Sequence, residues 1–294
     1  MKIRLSTGEK TFAIVNYTFL TLLALLCILP FLHMLAISFS SSAAATAGRV
    51  GLWPVDFTTA SYQYAIQKRE FIAAFLVTIR RTLLGVTIDL AVLILTAYPL
   101  SKSNRELPGR TAISWIFVIT MFVSGGLIPT YLVVSGTHLK NTIWALIIPG
   151  VVKAYYITIL LNFFRQIPKE LEESAVMDGA SQIRVLLSIY LPLSLPALAT
   201  LTIFDTVGHW NEWFSGMIYM SSQIKYPLQT FLRGIIVAPN YDLMDRTQME
   251  LMAKISSKTF QAAQIIIATV PILAVYPFMQ KYFISGMMLG SLKG

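Results

Sequence analysis

The sequence predicts an all-α polytopic membrane protein. Of its 294 residues, 55% are hydrophobic and only 13% are charged, whereas soluble domains carry roughly 25% charged residues. The mean hydropathy is +0.66. Several windows of about 20 residues contain no charged side chain, which is the length that an α-helix needs to cross the hydrocarbon of a bilayer. A soluble chain of this size could not enclose so much apolar surface in one core.

Six apolar segments qualify as transmembrane helices. They comprise residues 11–38, 82–100, 112–134, 142–164, 193–219 and 259–282. The first apolar segment is longer than the core of a signal peptide, so we interpret it as a retained helix. Residues 1–294 are therefore expected to form a single transmembrane domain.

Basic residues in short flanks predict the orientation of these helices. Lys2, Arg4 and Lys10 precede the first helix, and further lysine and arginine residues follow the second. Such residues are enriched on the cytoplasmic side, which places both termini and residues 165–192 in the cytoplasm and residues 221–258 outside. The net charge of +9 is then explained by the membrane flanks, and nucleic acid is not an expected partner.

The polar segment 165–192 is predicted to form two helices between two apolar segments. Pro168 suits the start of a helix, and the acidic residues after it are favourable near the positive end of the helix dipole. Gly179 is expected to end this first helix, and Leu191-Pro192 to close the second. We interpret this segment as a handle for a soluble partner, the alternative being a solvated linker.

The spacing inside this segment resembles the EAA loop of ABC importer permeases. Glu173-Ser174-Ala175 is followed by Gly179 and, nine residues further on, by Ile189-Tyr190-Leu191-Pro192. Ser174 stands where alanine is usual, and both residues are small. The resemblance implies a type I ABC importer permease fold and a helix–glycine–helix that docks on an ATPase subunit. The residues expected at this contact are Glu172, Glu173, Ala175, Asp178, Gly179 and Ala180.

Five further motifs extend along nearly the whole chain. They occupy residues 124–131, 139–146, 210–214, 226–229 and 281–290. Together they resemble the MalG-type carbohydrate permeases, and especially the branch that imports oligo- and polysaccharides such as alginate or pectin fragments. That resemblance implies a non-catalytic, multi-pass subunit of the bacterial cytoplasmic (inner) membrane.

The same resemblance implies a set of partners. These are a second related permease, two ATPase subunits that bind ATP and Mg, an extracytoplasmic solute-binding protein, membrane lipid and the carbohydrate itself. Residues 221–258 are expected to contact the binding protein through Pro239, Asn240, Tyr241 and Asp242, and the tail 286–294 to approach the ATPases. The chain itself lacks a phosphate-binding loop and metal-ligand spacing, so no cofactor or metal is expected on it.

Charged residues inside the predicted helices are expected to face the protein interior, because exposing one to lipid costs ~2.5–3.5 kcal/mol. Asp205 and Glu212 are two helical turns apart and would share one face. With the neighbouring aromatic and polar side chains they suggest a sugar pathway; alternatively they pair with the second permease or line the outer mouth. The predicted pathway residues are Asp205, His209, Trp210, Asn211, Glu212 and Trp213.

Other polar or small residues inside the helices suggest specific contacts. Asp89 and Lys153 form a candidate ion pair between the second and fourth helices. Gly125 and Gly126 are expected to interrupt the third helix, either as a hinge or, as we favour, at a close helix crossing.

Two alternative functions differ from a carbohydrate permease. One is an ABC importer permease for a peptide or a lipid-linked solute. The other is a secondary transporter driven by an ion gradient, which predicts an inverted repeat and a midplane acid. The sequence shows no convincing repeat, and a secondary transporter leaves segment 165–192 without a role.

Overall fold

The computed structural model describes residues 6–237 and 256–291, and in these ranges the chain is helical without strands. The helices are α1 (Thr7–Ser38), α2 (Ser42–Thr46), α3 (Ala60–Gln67), α4 (Arg69–Ser101), α5 (Arg110–Thr120), α6 (Leu127–Gly136), α7 (Ala154–Arg165), α8 (Lys169–Met177), α9 (Gln182–Val185), α10 (Leu191–Leu193), α11 (Leu195–Asn211), α12 (Phe214–Tyr219), α13 (Leu228–Val237) and α14 (Ser257–Ser291). A π-helical turn, Leu186–Tyr190, joins α9 to α10. Short 3-10 turns occupy Ile143–Leu146, Ile148–Gly150 and Gln223–Lys225.

Two described helices, α1 and α4, are long and apolar enough to cross a membrane without a break. Two further spans are bent pairs. The segment Ile143–Gly150 meets α7 at 54°, and Gln182–Leu193 meets α11 at 80°. By length and composition the described residues therefore hold two spans, or four if each bent pair counts as one.

The third predicted helix is divided into α5 and α6, and the predicted interruption at Gly125 and Gly126 is confirmed. Gly126 precedes α6 with φ +81°, a conformation that residues with a Cβ rarely adopt. A Cβ built on Gly125 or Gly126 meets no atom of the described residues within 4 Å. Gly126 thus serves a backbone turn, and the close crossing that we favoured is not found among the described residues.

The fifth predicted helix is divided as well. Helix α11 ends at Asn211, Glu212 is extended with φ −73° and ψ 122°, and α12 begins at Phe214. Glu212 is therefore the C-cap of the helix that carries Asp205, and its N–H still donates to the carbonyl of Gly208 at 3.1 Å. Glu212 pairs with Arg81 of α4, and Asp205 belongs to the charge network that includes Asp89 of the same helix, so the expectation that these two acids share one face agrees with the structure.

The chain divides into two compact units, residues 1–68 with 234–269 and residues 69–233 with 270–294. In the first unit, α1 is apolar on all sides and exposed along most of its length, as expected of a helix that faces lipid. Its start is closed by a capping box between Ser6 and Glu9, and it carries the chain's single cysteine, Cys27, which is exposed.

In the second unit, α4 packs against α7 and α11. The buried core of this unit contains side chains from all three helices and from the segment 165–192. Its members from that segment are Val185, Leu186 and Tyr190, with Ala175 and Ala180 packed against them. Segment 165–192 is therefore anchored on the apolar helices, which disfavours the alternative of a solvated linker.

Candidate functional site

The first helix of segment 165–192 ends in a left-handed glycine. Gly179 has φ +80°, its N–H donates to the carbonyl of Val176 at 3.0 Å, and the N–H of Ala180 donates to the carbonyl of Ala175 at 2.9 Å. These two bonds form a Schellman motif. The prediction that Gly179 ends the helix is confirmed, and its αL backbone explains why glycine suits this position.

Glu172 ties α8 to α4. Its side chain is 11% exposed and forms an ion pair with the ammonium of Lys102, while the hydroxyl of Tyr190 donates to it at 2.6 Å. The same ammonium lies 4.2 Å from the ring centroid of Tyr98 and 4.7 Å from that of Tyr190, within the range of a cation–π contact. Glu172 was predicted to contact an ATPase, but its carboxylate is buried and occupied inside this chain.

The remaining residues predicted to contact an ATPase are accessible to different degrees. Glu173, Asp178 and Gly179 are exposed, and Ala175 and Ala180 are half-buried. The exposed residues lie beside apolar side chains that also face outward: Met177 is 86% and Ile183 is 70% exposed. Exposed apolar side chains next to carboxylates suit a protein contact. We call this face of residues 173–183 the coupling surface.

A charged turn precedes α5. The hydroxyl and the N–H of Ser103 hydrogen-bond with Glu106 and lower the pKa of its carboxyl, with smaller contributions from Lys102 and Lys169. The backbone bond, from the N–H of Ser103 to Oε2 of Glu106, measures 2.7 Å. Glu106 therefore favours its ionised form, and it adds a carboxylate to the basic surroundings of Lys102.

A buried charge network joins three helices of the second unit. Lys153 precedes α7, and its ammonium donates to Asp89 on α4 at 2.7 Å and also to Asp205 on α11. Asp89 and Asp205 are only 4% and 2% exposed. The structure forms the Asp89–Lys153 pair that the sequence had left open, and it adds Asp205, which we had placed in the sugar pathway.

His209 completes this network. Its Nε2 lies 2.9 Å from Oδ2 of Asp89, and its ring packs against Gly85 so closely that a Cβ there would come within 2.5 Å of the imidazole. Asp89, Asp205 and His209 place one ligand atom each within 4.8 Å of one another, a spacing that a metal ion could use. The ammonium of Lys153 already contacts both carboxylates and supplies the positive charge that this cluster needs.

A second ion pair lies beyond the end of α11. Nη1 of Arg81, a buried α4 side chain, lies 2.7 Å from Oε2 of Glu212, and Glu212 also accepts the N–H of Ser215 at 2.8 Å. Next to it, the guanidinium of Arg233 stacks 3.4 Å from the ring centroid of Trp213.

The six predicted pathway residues are therefore not equivalent. Asp205, His209 and Trp210 are buried inside the chain, Glu212 and Trp213 are half-buried, and Asn211 is exposed. Of these six, only Glu212, Trp213 and Asn211 leave enough of the side chain exposed to contact a solute. Pro239, Asn240, Tyr241 and Asp242, predicted to contact a binding protein, lie outside the described residues, and the tail 286–294 is described only as helical backbone up to Ser291.

Comparison with known proteins agrees with this fold. The family of binding-protein-dependent transport system inner membrane components matches residues 94–289. The chain is 38% identical to the polygalacturonan/rhamnogalacturonan transport system permease protein YtcP of Bacillus subtilis, covering 97% of this chain and 99% of that one. It is 39% identical to protein LplC of the same organism, covering 97% of this chain and 96% of that one.

A solved structure shows the same architecture. It belongs to a bacterial ABC transporter involved in the import of the acidic polysaccharide alginate; one of its chains superposes with a TM-score of 0.88 at 33% identity, covering 95% of this chain and 99% of that one. The fold is thus that of a type I ABC permease. The chain belongs to the family of inner membrane components of binding-protein-dependent transport systems.

Proposed function

We propose that this chain is the permease subunit of an ATP-driven, solute-binding-protein-dependent importer of oligo- or polysaccharides. The observation that carries this proposal is the likeness, over nearly the whole chain, to a permease named for polygalacturonan and rhamnogalacturonan. The fold shared with a chain of an alginate importer supports it. The chain would form half of the translocation pathway by alternating access and would carry no catalytic site.

The proposal includes the subunits that such an importer needs. They are a second related permease, two ATPase subunits that hold ATP and Mg, and a binding protein outside the membrane that approaches residues 221–258. In the bacterial inner membrane the chain would cross six times, with α5–α6 and each bent pair counted as one crossing, and both termini would face the cytoplasm.

The contacts suggest how movement of an ATPase would reach the pathway. The coupling surface lies on α8, and Glu172 ties α8 to Lys102 at the end of α4. Further along α4, Asp89 holds Lys153 at the break before α7, and Arg81 holds Glu212 beyond the end of α11. A displacement of α8 would therefore be transmitted to α4 and from there to both bent spans.

The alternatives are less well supported. An ion-coupled transporter needs a midplane acid that is free to bind its ion, whereas Asp89 and Asp205 both contact Lys153. A peptide or lipid-linked solute has no counterpart in the relatives' names, two of which specify polysaccharides. Uptake of labelled oligosaccharides by proteoliposomes that contain the assembled transporter, with ATP inside and binding protein outside, tests the carbohydrate assignment against labelled peptides.

Glu173→Lys is expected to uncouple transport without unfolding the chain. Glu173 is exposed and forms no ion pair among the described residues, so its loss leaves the fold intact. A lysine facing a basic residue on an ATPase would cost several kcal/mol, and each ~1.4 kcal/mol lowers affinity about tenfold. We expect ATP-driven uptake in proteoliposomes to fall at least about tenfold, with an unchanged melting temperature.

Glu172, the neighbour of Glu173, provides the matched control. Glu172→Gln removes the buried partner of Lys102 and should lower the melting temperature, which Glu173→Lys leaves unchanged.

Two substitutions of Gly179 test the same contact. Gly179→Ala adds only backbone strain of about 1–2 kcal/mol, because a Cβ there meets no atom of the described residues within 4 Å. Gly179→Asp adds the same strain and also places a charge in the contact. Normal uptake with Glu173→Lys and with Gly179→Asp would contradict the docking role.

A further inference from the structure

A cavity of about 220 Å³ lies between the start of α5 and the end of α7. Its lining consists of Arg110, Thr111, Ser114, Trp115, Val118 and Arg165. Both guanidinium groups donate to one carbonyl, that of Leu100, at 3.3 Å each. In the part of the chain that the structure describes, neither arginine has a carboxylate partner within ion-pair distance. Two positive charges therefore meet at one cavity without a counter-charge from the described residues.

The cavity also holds donors that are not used. Nε of Arg110 and Oγ of Ser114 are shielded from solvent and have no hydrogen-bond partner. A guanidinium offers several N–H donors in a fork that matches phosphate oxygens, and buried polar atoms normally find a partner. No side chain caps the start of α5, whose dipole favours an anion. These groups fit an anion with several acceptor oxygens.

The position of the cavity along the helices indicates where that anion comes from. Arg110 begins an apolar helix and Arg165 ends another, so both lie where apolar helices leave the hydrocarbon. Trp115 is 61% exposed and Ile119, four residues later, is 54% exposed, which gives an apolar strip on the same face of α5. Aromatic and basic residues at such a boundary mark the headgroup level.

We propose that Arg110, Ser114 and Arg165 bind the phosphodiester of an anionic phospholipid. The headgroup occupies the cavity, and an acyl chain lies along Trp115 and Ile119. Basic pockets between membrane helices have this chemistry. The site shares Leu100 with the end of α4, next to the Lys102–Glu172 ion pair, so a bound lipid would brace the base of segment 165–192.

Native mass spectrometry of the full-length protein tests this site. The protein is reconstituted into nanodiscs of phosphatidylcholine with phosphatidylglycerol, released, and analysed for retained phosphatidylglycerol. Arg110→Gln and Arg165→Gln are each expected to lower retention about fivefold, the effect of one basic residue near an anionic headgroup. Ser114→Ala, which leaves the charge unchanged, is expected to lower it less. Arg105→Gln removes the same charge from the exposed turn before α5 and should leave retention unchanged.

Three results would overturn the proposal. Equal loss with Arg105→Gln would show general surface attraction, and displacement of the lipid by millimolar inorganic phosphate would show a site for free phosphate. Loss of a co-purified protein subunit with Arg165→Gln, at unchanged lipid retention, would show that a protein carboxylate fills the cavity. If Arg110→Gln does not fold, Arg165→Gln and Ser114→Ala still decide the question, since each alters a different lining group.

Discussion

Lys153→Met is expected to destabilise the protein by about 3–5 kcal/mol, the usual effect of removing one partner of a buried ion pair. Asp89 and Asp205 are almost fully buried, and the ammonium of Lys153 contacts both. Without it, His209 is the remaining cationic candidate, and it lies 2.9 Å from Asp89 but 4.0 Å from Asp205. Asp205 would therefore be left with little compensation.

Thermal unfolding of the purified protein in detergent measures this effect. Lys153→Arg keeps the charge and should lose much less stability, and Lys10→Met, an exposed lysine at the start of α1, should lose none. Adding Asp205→Asn to Lys153→Met should recover part of the loss, because it removes the uncompensated carboxylate. A melting temperature of Lys153→Met equal to that of the wild type would show that the network is not formed in the membrane protein.

Gly85→Ala is expected to cost about 1–3 kcal/mol, as overpacking of a well-packed interior does. A Cβ at Gly85 would lie 2.5 Å from Cε1 and Nε2 of His209, closer than atoms in contact can be. The imidazole must then move, and it would lose its contact with Asp89. A hydrogen bond to a charged group contributes about 1.5–3 kcal/mol, so the two effects reinforce each other.

Gly208→Ala is the matched control for this substitution. Gly208 directly precedes His209 in α11, and a Cβ there meets nothing within 4 Å. In that open position alanine should be neutral or stabilising, because glycine disfavours a helix interior by up to ~1 kcal/mol. The double variant Gly85→Ala with His209→Ala should lose less stability than the two single losses added together. Additive losses would show that residue 85 does not act through His209.

The local features of the site could be predicted from sequence. The glycine that ends α8 was recognisable because a Schellman motif depends on a few consecutive residues. The Asp89–Lys153 pair could be named as a candidate because two opposite charges inside apolar segments need partners, although the sequence left open whether the two side chains meet. Both predictions required only the type of residue and its immediate surroundings.

The remaining features depend on contacts between distant parts of the chain. Lys102 and Glu172 are separated by 70 residues, and Arg81 donates to Glu212 across 131 residues. Hydropathy does not report such long-range contacts, so the pairing of Glu172 with Lys102 inside the chain was not foreseen. The break in the third predicted helix was recognisable from Gly125 and Gly126. The break in the fifth was missed because apolar residues continue on both sides of it, while the interruption lies in the backbone conformation at Glu212.

Helix α4 connects the two halves of the site. Along its length it carries Arg81, Gly85, Asp89 and, just past its end, Lys102. Arg81 pairs with Glu212 at the end of α11, and Gly85 packs against His209. Asp89 pairs with Lys153 at the break before α7, and Lys102 pairs with Glu172 in segment 165–192. The stability predictions for Lys153 and Gly85 therefore test the same helix that would carry movement from α8.

Accessibility of the coupling surface tests the central claim most directly. Met177 is 86% exposed on α8, and Cys27 is the chain's single cysteine, so Met177→Cys in a Cys27→Ser background carries one reporter thiol. A membrane-impermeant maleimide should label it in inverted vesicles, and bound ATPase subunits should block the reaction. Labelling in intact cells, from the outer side, would contradict the proposed coupling.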